Sequence, residues 1–427
     1  MTRSMRRREC GRRARGGISR VVIGTLVVAP FGPAVVVPQL GGRRVDAGHR
    51  WIATWAASPV ESGPSLVDTT ERMVVRATVG GSRVRVRLSN ALNAAPITLG
   101  AVWVARSSGA ASVVARSRRQ LTVNRRSTIT LPPGAEVWSD PVPLTLSDGD
   151  SVAISLYAAD APTVTQLDDS TGVVSYRAQG EDTADTSGAP FTRSASTWLV
   201  ADGVAVERQA GPGTVVALGD SITAGFQFGP TPNVSWPALL APRLLAASPS
   251  CQMAVVNAGI SGNRLTESGG TFGTSPSALR RMRRDVLDQP GVRVVVVLIG
   301  INDIASGVPP AKIIAGYRTL IRMAHAAHLR IVAGTLLPAG DAARPSVFGR
   351  SYSGAASIRK RHAVTAWIRT SGAFDGVIDF TDALANPRDA NQLAPAYDSG
   401  DHLHPSDAGY ARMAATVDPA LLRRCPA

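Results

Sequence analysis

The 427-residue sequence predicts an α/β fold, a doubly wound parallel sheet over residues 211–427, preceded by an all-β sandwich domain over residues 48–210. Three observations predict it. From Trp51 to about Tyr176, short segments that alternate apolar and polar residues recur between turn residues, as half-buried antiparallel strands do. After Gly211-Pro212-Gly213, near-continuous apolar runs alternate with stretches of helix length, the mark of a parallel sheet covered on both faces. An apolar share of 44% leaves enough material for two cores and sets disorder aside.

Residues 1–47 belong to neither domain. An arginine-rich stretch ends at Arg20, an apolar run follows from Val21 to Val37, and Val45-Asp46-Ala47 offers small residues for cleavage. This is the pattern of a removable export signal, with a mature chain beginning near Gly48 and working outside the cell. Pro30 and Pro33 interrupt the apolar run, which is shorter than the roughly 20 residues a spanning helix needs. The leader also explains the basicity. It carries ten arginines against Glu9 and Asp46, hence +8 of the formal +15. The other arginines are scattered and lysine occurs only at Lys312 and Lys360, so no basic helix or patch is present to track phosphates, and no nucleic-acid partner is expected.

In the first domain, Arg83-Val84-Arg85-Val86-Arg87-Leu88 puts valine and leucine on one face and arginine on the other. Val74 to Val79 precedes it across Gly80-Gly81-Ser82, which reads as a hairpin turn. Further strands are expected at Ile97–Val104, Ser127–Leu131, Val142–Leu146, Val152–Tyr157 and Val173–Tyr176, with Pro132-Pro133-Gly134 and Ser147-Asp148-Gly149-Asp150 as turns. In the second domain, strands are expected at Thr214–Leu218, Ala254–Asn257, Val292–Ile299, Arg330–Leu337 and Gly376–Phe380. Helices are expected at Trp236–Ala247, Ser277–Leu287, Pro310–Ala327 and Gly354–Arg369. Ligands of such a sheet gather at the C-terminal ends of its strands.

Removal of the leader leaves Cys251 and Cys425. In an oxidising compartment they are a candidate disulfide that would tie the chain's end to the first strand-helix unit, worth up to about 5 kcal/mol by chain entropy; two buried thiols are the alternative.

Four short segments follow one another down the second domain: Gly219-Asp220-Ser221-Ile222, Asn257 to Asn263, Gly300-Ile301-Asn302-Asp303, and Asp401-His402-Leu403-His404-Pro405. Ser221 directly follows a strand, and Gly-x-Ser-x-Gly does not surround it, which argues against a nucleophile elbow. A serine there more often caps a helix, and as a nucleophile it needs a base within reach. Of six histidines, His49 lies at the mature start and His325, His328 and His362 fall in helical segments, which leaves His402 and His404. No metal-ligand spacing and no phosphate-cradling glycine loop appears, so no metal or cofactor is expected.

The ordered set resembles the GDSL, or SGNH, hydrolase family over roughly residues 211–427, and in particular secreted bacterial esterases and lipases with an N-terminal β-sandwich. The resemblance implies a flavodoxin-like SGNH sheet, Ser221 as nucleophile, His404 as base and Asp401 as its orienting acid. It also implies an oxyanion hole built from the backbone N–H of Ser221, the backbone N–H of Gly262 rather than Gly259, and the side-chain amide of Asn302. Asp220 is expected to hold the turn rather than act as a second acid. The implied reaction is carboxylic-ester hydrolysis through an acyl-enzyme, on short-chain or acetyl esters, small or carried on a polysaccharide. Lipase or lysophospholipase activity and acyl transfer would use the same residues, and a silent carbohydrate-binding protein is the non-enzymatic alternative. The mature chain is expected to be a monomer without membrane insertion. Aromatic residues make up 5% of the chain, too few for an evident sugar-stacking platform.

Overall fold

The computed structural model describes residues 49–168, 175–194, 198–209, 213–226, 234–246, 252–271, 273–342 and 351–422. The leader with its cleavage site, and both Cys251 and Cys425, lie outside the described residues.

The N-terminal region is built of two antiparallel sheets. In one, Gly81–Ser89 lies beside Ala201–Gln209, which in turn pairs with His49–Ala56; Glu136–Trp138 and Val142–Leu146 cover its other side. In the other, Leu66–Arg76, Ser151–Ala161 and Ala101–Gly109 are the long central strands. Val84, Val86 and Leu88 of the first sheet and Met73, Val75, Val104, Ile154 and Leu156 of the second are buried in one shared core. Each such side chain contributes about 1.5–3 kcal/mol on leaving water, so the alternation read from sequence is also the energetic basis of the pairing.

Two local expectations are corrected. The strands flanking Gly80-Gly81 do not form a hairpin: Leu66–Arg76 and Gly81–Ser89 belong to different sheets. Neither glycine has a positive φ, which the tight hairpin turns require. Gly80 is needed instead for close packing, since a Cβ there would stand 2.1 Å from the Leu146 carbonyl oxygen. The arginine face of Gly81–Ser89 is also not simply solvated. Arg85 lies over the rings of Trp51 and Trp138, and Arg87 is buried, pairing with Asp202 at 2.7 Å and reaching the Arg284 carbonyl at 3.3 Å.

From Gly213 onward, five of the described strands form one sheet, β1 (Gly213–Gly219), β2 (Met253–Gly259), β3 (Val292–Leu298), β4 (Arg330–Gly334) and β5 (Gly376–Ile378), apart from a small pairing of Ala385–Asn386 with Asp389–Leu393. All neighbours are parallel and the order is β2-β1-β3-β4-β5. The order reverses between β1 and β3, so the crevice for a ligand opens at their C-terminal ends. The helices are α1 (Ser221–Ala224), α2 (Trp236–Leu245), α3 (Ala278–Met282), α4 (Ile301–Ala305), α5 (Pro310–Ala326), α6 (Ala355–Thr370), α7 (Phe380–Leu384) and α8 (Asp407–Thr416). In α5, Ile313, Tyr317, Leu320, Ile321 and Ala324 are buried at helical spacing, the stripe that faces the sheet.

Three strand ends fall short of their expected bounds, that of the Val292 strand by one residue, at Leu298. The Arg330 strand stops at Gly334 because the Thr335 hydroxyl turns to the Asp379 carboxylate, 3.0 Å away. The last strand stops at Ile378 because Asp379 accepts from the Asp382 N–H and so starts α7.

The described residues form a single compact unit. The all-β region and the α/β region are tied at several points: Ala53 N–H donates to the Pro290 carbonyl at 2.8 Å, Arg284 reaches Pro59 O at 3.1 Å, and Arg281 reaches Ser58 Oγ at 3.2 Å. Among the described residues, no helix is long and apolar enough to cross a membrane.

Candidate active site

β1 is buried along its whole length and ends at Gly219, after which the chain turns at once into α1. Asp220 makes that turn. Its side chain accepts from the Ile222 N–H at 3.1 Å and caps the short helix. Complete burial pushes its carboxyl up to about 7, with the nearby charge of Asp303 acting in the same direction. A buried capping group of this kind fits the turn-holding role expected of it.

Ser221, the first residue of α1, therefore stands at the C-terminal edge of β1, with 8% of its surface exposed. Its Oγ lies 2.8 Å from His404 Nε2. The His404 Nδ1 lies 2.7 Å from Asp401 Oδ2, and both residues are buried. The other Asp401 oxygen accepts the backbone N–H groups of Leu403 at 3.0 Å and His404 at 2.8 Å, and the Ser399 hydroxyl at 3.1 Å. Burial alone would raise the Asp401 carboxyl. The hydrogen bond and charge of His404, together with the two backbone donors, outweigh it and hold the group well below its ordinary value. The Phe226 ring covers the imidazole, with 4.7 Å between ring centroids.

His402, the other histidine left by the sequence, faces elsewhere. Its Nδ1 is held by the Asp398 carboxylate, with Asp341 at 3.6 Å.

Three polar groups converge from neighbouring strand ends: Ser221 after β1, Gly262 after β2 and Asn302 after β3. Adjacent strands lie about 4.8 Å apart, so their C-terminal loops share one small space. The N–H groups of Ser221 and Gly262 donate to no acceptor among the described residues. Gly259, by contrast, has given its N–H to Asn257 Oδ1 at 2.9 Å. Gly262 has φ +70°, and a Cβ on it would stand 2.3 Å from Thr271 Oγ1, so the position demands glycine. Asn302 is buried in α4, donates through Nδ2 to the Asn263 carbonyl at 3.0 Å, and accepts at Oδ1 from the Tyr352 hydroxyl at 2.7 Å. Because a carbonyl can only accept, this pair fixes which way the amide faces. Asp303 grips the loop after Gly262 by accepting the N–H groups of Leu265 at 2.7 Å and Thr266 at 3.0 Å.

Three further contributors carried no signal in the sequence. Tyr352 orients Asn302. Arg281, fully buried, joins the ends of β1 and β2 by donating to Gly219 O at 2.8 Å and Ala258 O at 2.6 Å, and it holds Asn263 Oδ1 at 3.0 Å. Asp168, from the all-β region, accepts the Ser261 N–H at 2.7 Å. None belongs to a spacing pattern; each is reached only by folding. Among the described residues, no group of three His, Cys, Asp or Glu side chains could hold a metal ion. A cavity of about 290 Å³ between the strand His49–Ala56, α2 and β2 includes neither Ser221 nor His404. It is distinct from the crevice where these groups meet.

The sequence model of the GDSL-like Lipase/Acylhydrolase family matches residues 217–412. No curated protein matches the chain. Among solved structures, the chain is similar to a GDSL-like lipase from Bacteroides thetaiotaomicron, at 20% identity over 49% of this chain and 87% of that one, with a TM-score of 0.36. It is likewise similar to an acetylxylan esterase from Geobacillus stearothermophilus, at 21% identity over 48% of this chain and 93% of the other, TM-score 0.36. A member of the lipolytic protein G-D-S-L family from Veillonella parvula matches at 18% identity over 48% and 94%, TM-score 0.35. The family match is the finding that bears on identity: over residues 217–412 this chain is similar to the GDSL-like lipase/acylhydrolases.

Proposed function

We propose that the chain is a carboxylic-ester hydrolase in which Ser221, His404 and Asp401 act as nucleophile, base and orienting acid. The observation that carries this reading is the unbroken series from Ser221 Oγ to His404 Nε2, 2.8 Å, and from His404 Nδ1 to Asp401 Oδ2, 2.7 Å. Ser221 attacks the ester carbonyl as His404 takes its proton; the carbonyl π pair moves to oxygen, and the tetrahedral adduct collapses when His404 returns the proton to the leaving alcohol. Water then repeats the sequence on the acyl-enzyme. Asp401 holds Nδ1–H in place, so that Nε2 carries the lone pair that accepts the serine proton. In this reading the N–H groups of Ser221 and Gly262 and the Asn302 amide receive the developing oxyanion, usually the largest single catalytic contribution. Asn302→Ala is expected to lower kcat roughly 10²- to 10³-fold with little change in KM.

Short acyl chains are the expected substrates, because the sequence offers no long apolar lid and the base is closed over by the compact Phe226 ring. A p-nitrophenyl ester series from acetate to palmitate, with acetylated xylan alongside, tests both parts. The highest kcat/KM is expected at acetate to butyrate. Preference for palmitate overturns the short-chain assignment, and no hydrolysis of any ester overturns the reaction.

A further inference from the structure

We propose that Asp168, supplied by the all-β region, is a positioning residue for the oxyanion hole: its carboxylate anchors the Ser261 peptide and so sets the turn that aims the Gly262 N–H at the reacting oxygen. The inference rests on the hydrolase reading above and assigns the N-terminal region a part in the chemistry.

Asp168 directly follows the short strand Thr165–Leu167 and is 4% exposed. Its Oδ2 accepts the Ser261 N–H at 2.7 Å across the boundary between the two regions. Asp168 is itself anchored, because its own N–H donates to the Ser58 carbonyl at 3.1 Å. The Ser58 hydroxyl accepts from Arg281 at 3.2 Å, and the same guanidinium holds the Asn263 side chain at 3.0 Å. The tripeptide Ser261-Gly262-Asn263 is thus clamped at both flanks, from Asp168 on one side and Arg281 on the other. Only the middle N–H is left to face a ligand.

The clamp matters because of the kind of turn it holds. Asn263 N–H closes on the Ile260 carbonyl at 3.0 Å, which makes Ile260 to Asn263 a four-residue turn with Gly262 in its third position. Gly262 has φ +70° and Ser261 has no positive φ, the combination of a type II turn. A type I turn of the same four residues has the Ser261–Gly262 peptide turned over, which points the Gly262 N–H away from the crevice. Glycine adopts either state with little bias; the Ser261 N–H belongs to the Ile260–Ser261 peptide, which keeps its direction in both, so the Asp168 carboxylate fixes where the turn sits against the crevice. A charge-assisted bond from a buried carboxylate is about twice as strong as a neutral one, and it bonds the turn's second residue while leaving the third free.

The test compares Asp168→Ala and Asp168→Asn with wild type and Ser221→Ala in the full chain. It reads kcat and KM for p-nitrophenyl acetate, inhibition by phenylboronic acid as a tetrahedral adduct of the serine, and the melting temperature. Asp168→Ala is expected to lower kcat by about 10- to 100-fold, below the roughly 10²- to 10³-fold limit for outright loss of a donor. KM should stay within about threefold and boronate affinity should weaken in step with kcat. Asp168→Asn keeps an oxygen acceptor and should recover most of the rate. Should Asp168→Ala turn over within twofold of wild type, or lose only thermal stability with unchanged boronate affinity, or fail to be rescued by asparagine, the inference is wrong. An active wild type with an inactive Ser221→Ala isolates that failure from the hydrolase reading; equal rates for those two remove the reading and this inference together.

Discussion

Ser221→Ala is expected to lower kcat for p-nitrophenyl acetate by about 10⁶-fold, with KM little changed and the melting temperature within a few degrees of wild type. The expectation follows from the isolation of the site. Ser221 Oγ is the atom within hydrogen-bond distance of His404 Nε2, and the only other histidine of the same loop is committed to Asp398. Without that hydroxyl the imidazole loses the nucleophile it is placed to deprotonate. Residual activity should come from the donors that remain, which polarise a bound carbonyl for attack by water. Steady-state rates together with the burst of p-nitrophenol in the first turnover provide the check. A mutant that keeps even a tenth of the wild-type rate would show that the nucleophile lies elsewhere.

Asp401→Asn is expected to cost about 10⁴-fold in kcat while leaving the fold intact. The backbone explains why so conservative a change is so damaging. Asp401 Oδ1 is held by the N–H groups of Leu403 and His404, which require an oxygen. The asparagine oxygen must take that place, and its NH₂ then faces His404 Nδ1. An NH₂ can only donate there, so the ring carries its proton on Nε2 and cannot accept the one on Ser221. Asp401→Ala removes the wrong-tautomer constraint and should be less damaging than an orientation argument alone implies, a comparison that separates tautomer from geometry. Stability carries its own signature. The folded-state carboxyl of Asp401 lies below its unfolded value, so its contribution is fully present above the usual carboxylate range, near pH 4, and is lost as pH falls through the depressed folded value. Chemical denaturation between pH 7 and pH 2 should therefore show wild type losing more stability on acidification than Asp401→Asn. Parallel curves would mean that the His404 contact does not stabilise the folded carboxylate.

Much of this candidate site is legible in the sequence. Ser221, Asn302, Asp401 and His404 each stand in a short segment whose chemistry is local: a strand end followed by a turn, or an acid three residues from a base. The strands of the parallel sheet were legible for a similar reason, since burial on both faces writes an unbroken apolar run such as Val294 to Ile299. Local reading failed where packing overrides it. Gly80-Gly81-Ser82 has the composition of a hairpin turn, yet the chain changes sheets there because Gly80 must pass close to the Leu146 carbonyl. The arginines beside Val84 and Val86 look solvated in sequence, yet Arg87 ends against Asp202 and the Arg284 carbonyl.

By itself the sequence determined the fold class, the order of the candidate groups and the reaction type they imply, because each depends on residues close together in the chain. Only the tertiary structure decided which groups hold them in place. It turned His402 toward Asp398, spent the Gly259 N–H on Asn257, set Tyr352 on the Asn302 amide and brought Asp168 across 93 positions to Ser261. A hydrogen bond constrains distance and angle in space, not separation along the chain, so partners like these leave no spacing to read.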